Sequence, residues 1–170
     1  MPFFESRGNA FASAIAAGSV TGGIIVEILT IICIGLMTGV EFCIAAFINP
    51  IFAQLPDTAK NTAISLGARQ LGRVMPFWYM SGLLLLVTES VVKRHSSHIE
   101  LLWSASLIWA VAIVLSIFFL VPINNRIVAA GASAFSEELR RQHDRWHLLH
   151  RWRVAALVLA MTMFLLGVQA

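Results

Sequence analysis

Histidine, tryptophan and arginine recur at helical spacing in the last third of the chain. His143, His147 and His150 follow the spacing i, i+4, i+7, so an α-helix places them on one face. Trp146, His150 and Arg153 repeat that spacing. Such a stripe could bind a transition metal, or it could hold a base beside a cation and an aromatic ring. Because one helix seldom supplies every ligand of a metal site, we expect no metal here and keep the three histidines as the alternative ligand set.

Glu41 is a second candidate, because it lies inside an apolar run, between Val40 and Phe42. An ionised carboxylate within a bilayer needs a partner or a water-filled cavity, or else it stays protonated. Glu41 is therefore either a neutral carboxyl bonded to a neighbouring helix or a residue that lines a site. The sequence leaves both interpretations open.

Long uncharged runs must position these side chains. The chain is 58% hydrophobic and only 12% charged, with a mean hydropathy of +0.80, which would give a soluble domain of 170 residues an aggregating surface. A bilayer core needs about 20 helical residues to cross, and the runs predict spans near 22–48, 72–92, 101–123 and 150–169. The strands of a membrane β-barrel would instead show apolar and polar residues in alternation. We predict an all-α integral membrane four-helix bundle with up-down topology, in contact with the lipid bilayer.

The connections between the spans are too short for a second core. The longest are residues 51–71 and 124–149, so residues 1–170 are predicted to form a single transmembrane domain. Cys33 and Cys43 lie on one predicted helix about 15 Å apart, too far for a disulfide. Gly35 and Gly39 have the small-xxx-small spacing that permits close helix packing, either within one chain or in a homo-oligomer.

Basic residues are divided unequally between the two sides of the predicted bundle. Three lie on the side of the termini: Arg7, Lys93 and Arg94. Nine lie on the other side: Lys60, Arg69, Arg73, Arg126, Arg140, Arg141, Arg145, Arg151 and Arg153. By the positive-inside rule the nine-charge side faces the cytosol and both termini lie across the membrane, which would be the endoplasmic reticulum in a eukaryotic cell. The net charge of +3 is then a topology signal, and we expect no nucleic-acid partner.

Four predicted helix ends meet on the nine-charge side. They carry asparagine, arginine, histidine and aromatic residues: Asn49-Pro50, Arg69 with Arg73 and Pro76-Phe77-Trp78, Pro122 to Arg126, and His147 to Arg153. A mainly apolar cavity with a few polar groups between bundle helices is typical of a small-molecule site. We therefore expect a binding pocket at this depth.

Several of these motifs occur together in a known family. They are Gly39, Asn49-Pro50, Pro122-x-Asn124-Asn125-Arg126 and Trp146-x-x-x-His150-x-x-Arg153. In this combination, from about Gly35 to the C-terminus, the chain resembles the small four-span membrane family that includes the anthrone oxygenases of aromatic polyketide pathways.

The resemblance implies an oxidoreductase, a monooxygenase of secondary metabolism that converts an anthrone to an anthraquinone with O₂ as co-substrate. Deprotonating the anthrone CH₂ gives a delocalised anion that can react with O₂ and lose water. That chemistry needs a base, donors facing the developing oxyanion and a dry aromatic slot. We expect His150 to be the base and Arg153 and Asn124 the donors, with no cofactor.

The aromatic slot for the polyketide substrate is expected to include Trp146, Trp78 and Phe77. Glu41, Asn49 and Arg69 are further candidates for substrate binding.

Two other functions stay open at this stage. A non-enzymatic carrier or assembly partner could use the same pocket for a lipid or a quinone, with Glu41 and Arg73 as its polar lining. A metal or haem oxidase could use His143, His147 and His150.

Overall fold

The computed structural model describes the backbone of residues 3–131 and 133–169 and, within these ranges, the side chains from residue 22 onward. All regular structure in this part of the chain is helical. The α-helices are α1 (Phe3–Cys43), α2 (Asn49–Ala53), α3 (Asp57–Val92), α4 (Ile99–Leu115), α5 (Val121–Ala130) and α6 (Glu137–Val168). Two π-helical segments, Ile44–Ile48 and Ser116–Leu120, join α1 to α2 and α4 to α5.

Four continuous helical stretches are long and apolar enough to cross a membrane: Gly22–Ala53, Asp57–Val92, Ile99–Ala130 and Glu137–Val168. Helix α1 packs on α3, α3 on α4, α4 on α6, and α6 back on α1, which closes an up-down bundle. Its outer surface exposes large apolar side chains such as Leu84, Leu107 and Phe118, as a lipid-facing surface requires. The predicted fold class, an all-α four-helix bundle, is confirmed.

The helices extend well beyond the predicted spans at one end of the bundle. Helix α3 begins at Asp57 rather than near residue 72, the third stretch continues to Ala130, and α6 begins at Glu137 rather than near residue 150. The stretches 51–71 and 124–149, expected as connections, are therefore mainly helical. They fold because apolar residues at helical spacing pack into a second small core: Ile64, Ile123, Ile127, Phe135 and Leu139. We call this end of the molecule the basic end, because the nine cations counted above lie towards it.

The main core fills the bundle between the basic end and the opposite end. Its fully buried members include Ile34, Met37, Leu86, Trp109 and Phe164. Glycine allows the helices to approach one another at two points. A Cβ at Gly82 would lie 2.9 Å from Cζ2 of Trp109, and one at Gly167 would lie 2.7 Å from Cδ2 of Leu102.

The predicted small-xxx-small pair is less crowded. A Cβ at Gly35 would lie 3.5 Å from Cε of Met161, an ordinary contact distance, and a Cβ at Gly39 would meet no atom within 4 Å. Close helix packing therefore occurs at Gly82 and Gly167, not at Gly39. Cys33 and Cys43 are both free, as their predicted separation requires.

The two π-helical segments occupy equivalent places in the first and third membrane-spanning stretches. Each is followed by a proline at the second residue of the next helix, Pro50 or Pro122. A π-turn inserts an extra residue into the helix and widens it locally, and such turns are frequent at functional sites. Both segments contribute side chains to the same internal cavity, described next.

Candidate functional site

A buried polar network centred on Glu41 joins all four membrane-spanning stretches of the bundle. This carboxylate is 1% exposed. Its Oε1 accepts a hydrogen bond from the Tyr79 hydroxyl at 2.9 Å, and its Oε2 accepts one from Nη2 of Arg153 at 2.7 Å. Nη1 of Arg153 donates to Oγ of Ser116 at 3.2 Å. Because α1, α3, the second π-helical segment and α6 each supply a member, the network is a product of the tertiary fold.

The network offsets the cost of burying the Glu41 carboxylate inside a bilayer. A buried carboxylate is tolerated when it is paired with a cation and its remaining lone pairs are hydrogen-bonded. Arg153, 13% exposed at its side chain, supplies the positive charge, and its guanidinium also lies 5.5 Å from the centre of the Tyr79 ring. Glu41 is thus bonded to two neighbouring helices and also lines the cavity, so each of the two interpretations of Glu41 has an observation in its support.

His150 is held at one ring nitrogen and unpartnered at the other. Its Nδ1 lies 3.3 Å from Oε2 of Glu41 and 3.0 Å from Nη2 of Arg153. When Nδ1 carries the proton it can donate to Glu41, and when it does not it can accept from Arg153. Nδ1 therefore has a partner in either tautomer. Nε2 is buried and makes no hydrogen bond with any described residue, so it is free to accept or to donate a proton.

Aromatic rings continue this site towards the basic end along α6. The indole of Trp146 stacks on His150, with ring centres 4.7 Å apart and planes 13° apart. It also lies nearly parallel to the His143 ring at 6.1 Å. The Nε1 donor of Trp146 is buried without a partner among the described residues. Helical spacing brings these rings together, since the three residues share one face of α6.

A cavity of about 350 Å³ lies against the network. This volume is within the usual range for a drug-sized ligand, about 300–1,000 Å³. Its polar lining residues are Glu41, Asn49, Ser116, Asn124, Asn125, His143, Trp146, His150, Arg153 and Tyr79. The rest of the lining is mainly apolar, with residues from both π-helical segments. The predicted pocket between bundle helices is therefore present, and it brings together six predicted site residues: Glu41, Asn49, Asn124, Trp146, His150 and Arg153.

Three predicted site residues do not reach this cavity. Phe77 is 77% exposed and points away from the bundle, and Arg69 is also exposed. Trp78 packs against the main core and donates its Nε1 hydrogen to the carbonyl of Cys33 at 3.1 Å. Their neighbours in α3, Met75, Pro76 and Tyr79, line the cavity instead. The sequence assigned these three residues to one helix end but fixed neither the rotation nor the start of that helix, and the structure places all three outside the cavity.

Tyr79 and Ser116 are members of the site that sequence analysis missed. Tyr79 is the only tyrosine in the chain, and its position within an apolar run was the signal that could have singled it out. Its backbone is fixed from the other side, because Nε1 of Trp109 donates to the Tyr79 carbonyl at 3.1 Å. Ser116 gave no such signal, because the hydroxyl of a serine in a helix can donate to a backbone carbonyl one turn earlier. Oγ of Ser116 donates in this way to the Ala112 carbonyl at 2.6 Å.

The alternative metal ligands do not form one cluster. The His143 and His147 rings are 4.4 Å apart, whereas His150 is turned towards Glu41 and stacked on Trp146. Among the residues that the structure describes, no group of three or more histidine, cysteine or acidic side chains is arranged to hold a metal ion.

The fold and the site define a class of protein: a four-helix bundle with membrane-spanning helices and an internal cavity lined by a carboxylate, an imidazole and a guanidinium. The chain belongs to the anthrone oxygenase family, whose sequence pattern it matches over residues 62–163, more than half of its length. The matched stretch contains Tyr79, Asn124, Trp146, His150 and Arg153. No curated protein and no solved structure matches the chain.

Proposed function

We propose that this protein oxidises an anthrone, a tricyclic phenol-ketone from aromatic polyketide biosynthesis, to the anthraquinone with O₂. Family membership supports an oxygenase, and the four apolar helices support a multi-pass membrane location. In a eukaryotic cell we expect the endoplasmic reticulum, with the basic end in the cytosol. The single observation that carries the proposal is the free Nε2 of His150, beside a cavity of ligand size and backed by Glu41 and Arg153.

In the proposed mechanism His150 removes a proton from the anthrone CH₂ through Nε2. The imidazolium that forms is stabilised by Glu41, whose Oε2 lies 3.3 Å from Nδ1, as in other carboxylate–histidine pairs. The electron pair of the broken C–H bond delocalises onto the ketone oxygen. Arg153 and the amide of Asn124 are the donors proposed to face that oxyanion.

The carbon of this anion then forms a bond to O₂. The carbon is oxidised, O₂ is reduced to the peroxide level, and the proton held by His150 completes a hydroperoxide. Loss of the second C–H proton breaks the O–O bond, and the distal oxygen leaves as water. In total CH₂ and O₂ become C=O and H₂O, so the substrate supplies all the electrons, and we propose that no cofactor takes part.

The walls of the cavity suit such a reaction. They are mainly apolar, so that water is excluded and the charges of Glu41, His150 and Arg153 act at low dielectric. Trp146 lines the cavity beside His150, and we expect it to contact the tricyclic ring system.

The experiment is turnover of emodin anthrone by the purified protein in detergent, followed by O₂ uptake and by formation of the anthraquinone. We expect both to exceed the rate in buffer with detergent alone, with one O₂ consumed per anthraquinone formed. Binding of the anthraquinone without any turnover would instead identify a carrier and overturn the oxygenase proposal. The same assay after dialysis against a chelator tests the cofactor-free mechanism, for which we expect unchanged activity.

A further inference from the structure

Packed apolar residues border the cavity towards both ends of the bundle. At the basic end the second core lies beneath it, and two members of that core, Ile64 and Ile127, are both buried and part of the cavity wall. Towards the opposite end the main core fills the bundle with Met37, Trp109 and Phe164. The exposed part of the lining therefore marks the direction of access.

Exposed residues that also line the cavity mark such an opening on the side. On α3 they are Gly72, Pro76 and Met80, spaced i, i+4, i+8 and thus on one face. On the third membrane-spanning stretch they are Ile117, Val121 and Asn125, at the same spacing. Helices α3 and α5 are packed against each other. The two exposed stripes therefore border one slot between the second and third membrane-spanning helices.

The slot runs from the basic end to the buried polar network around Glu41. Eight residues separate Gly72 from Met80, about 12 Å along the helix. Gly72 is next to the exposed Arg73 near the interface, whereas Met80 is next to the buried Tyr79, the donor to Glu41. The third stretch runs antiparallel to α3. Its exposed residues follow the same order of depth, with Asn125 nearer the basic end and Ile117 deeper. A molecule that enters at the headgroup level would thus be led to the polar network.

Two local features of α3 lie on the slot. A Cβ at Gly72 would meet no atom within 4 Å, so the space beside this residue is empty. Pro76 lies inside α3 and has no N–H, so it cannot donate the helical hydrogen bond to the carbonyl of Gly72. That carbonyl lacks its usual helical donor and can therefore accept a hydrogen bond from a phenolic hydroxyl.

We propose that the cavity is filled laterally from the bilayer, through the slot between α3 and the third membrane-spanning stretch, by flat phenolic aromatic molecules dissolved at the headgroup level. The substrate class rests on the proposed function, whereas the route rests on the slot itself. If the slot is a passage, narrowing it slows association and dissociation by the same factor and leaves the equilibrium affinity unchanged. A binding residue would change the affinity instead.

The experiment measures emodin transfer from phosphatidylcholine vesicles to the protein in vesicles of the same lipid, by stopped-flow quenching of tryptophan fluorescence. The variants are Gly72→Phe and, on the facing wall, Val121→Phe. Gly39→Phe is the matched control, because Gly39 is also an exposed helical glycine with empty space at its Cβ but lines no part of the cavity. We expect both slot variants to slow association and dissociation severalfold at constant affinity, and the control to behave as the wild type.

Wild-type rates in both folded slot variants would overturn the proposal, and so would a failure of the wild-type protein to bind emodin. Because either slot variant tests the route, a misfolded Gly72→Phe leaves Val121→Phe to decide it. Slow binding in the slot variants without any turnover of emodin anthrone would support the passage while refuting the oxygenase. Turnover of emodin anthrone by the wild type together with wild-type binding rates in the slot variants would support the oxygenase and refute the passage.

Discussion

At the scale of single residues, Glu41 is the group on which the others depend. It accepts hydrogen bonds from Tyr79 and Arg153 and lies beside Nδ1 of His150, so one carboxylate orients side chains from two other helices. A base works only if its ring is held in the productive orientation, and a buried partner on the second nitrogen provides this. The arrangement makes His150 a stronger candidate than its position in the sequence alone suggested.

The first prediction is that His150→Ala loses activity while the protein still folds. Removal of a general base costs about 10² to 10⁴ in rate, so turnover of emodin anthrone should fall on that scale. His147→Ala is the control, because His147 lies on the same helix but does not line the cavity. Both variants are compared at matched expression, after gel filtration has shown that they are monodisperse. Near-normal turnover in His150→Ala would remove His150 from the mechanism.

The second prediction concerns Arg153, whose two terminal nitrogens serve two different helices. Nη2 binds Glu41 and Nη1 binds Ser116, and a lysine ammonium cannot reproduce this planar fork. A lost hydrogen bond to a charged group costs about 1.5–3 kcal/mol, so Arg153→Lys should both unfold at lower temperature and turn over more slowly. Thermal unfolding in detergent and O₂ uptake measure the two effects.

The control for Arg153 is Arg151→Lys, an exposed position two residues earlier on the same helix. It should retain both the melting temperature and the rate of the wild type. If Arg153→Lys also kept the wild-type melting temperature and rate, the positive charge alone would be sufficient for stability and turnover. The planar geometry of the guanidinium would then be irrelevant.

At the scale of helices and their segments, glycine decides how closely α3 and α4 approach. A Cβ at Gly82 would lie 2.9 Å from the buried Trp109, whose indole also holds the Tyr79 carbonyl. The third prediction is that Gly82→Ala destabilises the protein by about 1–3 kcal/mol, the usual cost of overpacking a tight core. Gly39→Ala, with empty space at its Cβ, should be neutral or stabilise by up to about 1 kcal/mol, because alanine is the better helix former. Unfolding of both variants, measured side by side, tests the sign of each effect.

Sequence patterns predicted the helices themselves far better than their rotation and their ends. The apolar runs are longer and more continuous than those in the helices of soluble proteins. Because each run is long enough to cross a bilayer core, the sequence predicted four spans. Trp78 and Phe77 were assigned to the cavity and Tyr79 was missed, because a uniformly apolar helix has no polar face to fix its orientation. The π-helical segment Ser116–Leu120 adds a further shift in phase that apolar periodicity does not reveal.

The site was predictable where a residue was out of place in lipid. Glu41, His150 and Arg153 are polar groups at membrane depth, and each needed a reason to be there. The pairings among them were not predictable, because Glu41 and Arg153 are separated by 112 residues and meet only through the closing contact of α1 with α6. Ser116 and the lateral slot depend on the same tertiary geometry.

At the scale of the whole molecule, the distribution of charge and apolar surface sets its relation to the membrane. The outer surface of the bundle is apolar along its length, and the cations lie mainly towards one end. At the opposite end Lys93 binds Glu27 at 2.6 Å and the carbonyl of Val168 at 3.1 Å, which ties α1, α3 and the end of α6 together. The buried polar network around Glu41 lies nearer the basic end, so the orientation of the bundle decides which compartment the candidate site adjoins.

The last prediction is that the basic end faces the cytosol and the C-terminus lies on the other side. Lysine and arginine near span ends are retained on the cytosolic side during insertion, and nine of the twelve lie towards the basic end. A C-terminal tag should therefore resist protease in sealed vesicles whose cytosolic face is outward. A tag placed in the connection between α5 and α6, after Gly131, should be cleaved in the same vesicles. Cleavage of the C-terminal tag with protection of the internal tag would show that the bundle has the reverse orientation. The candidate site would then lie near the opposite compartment.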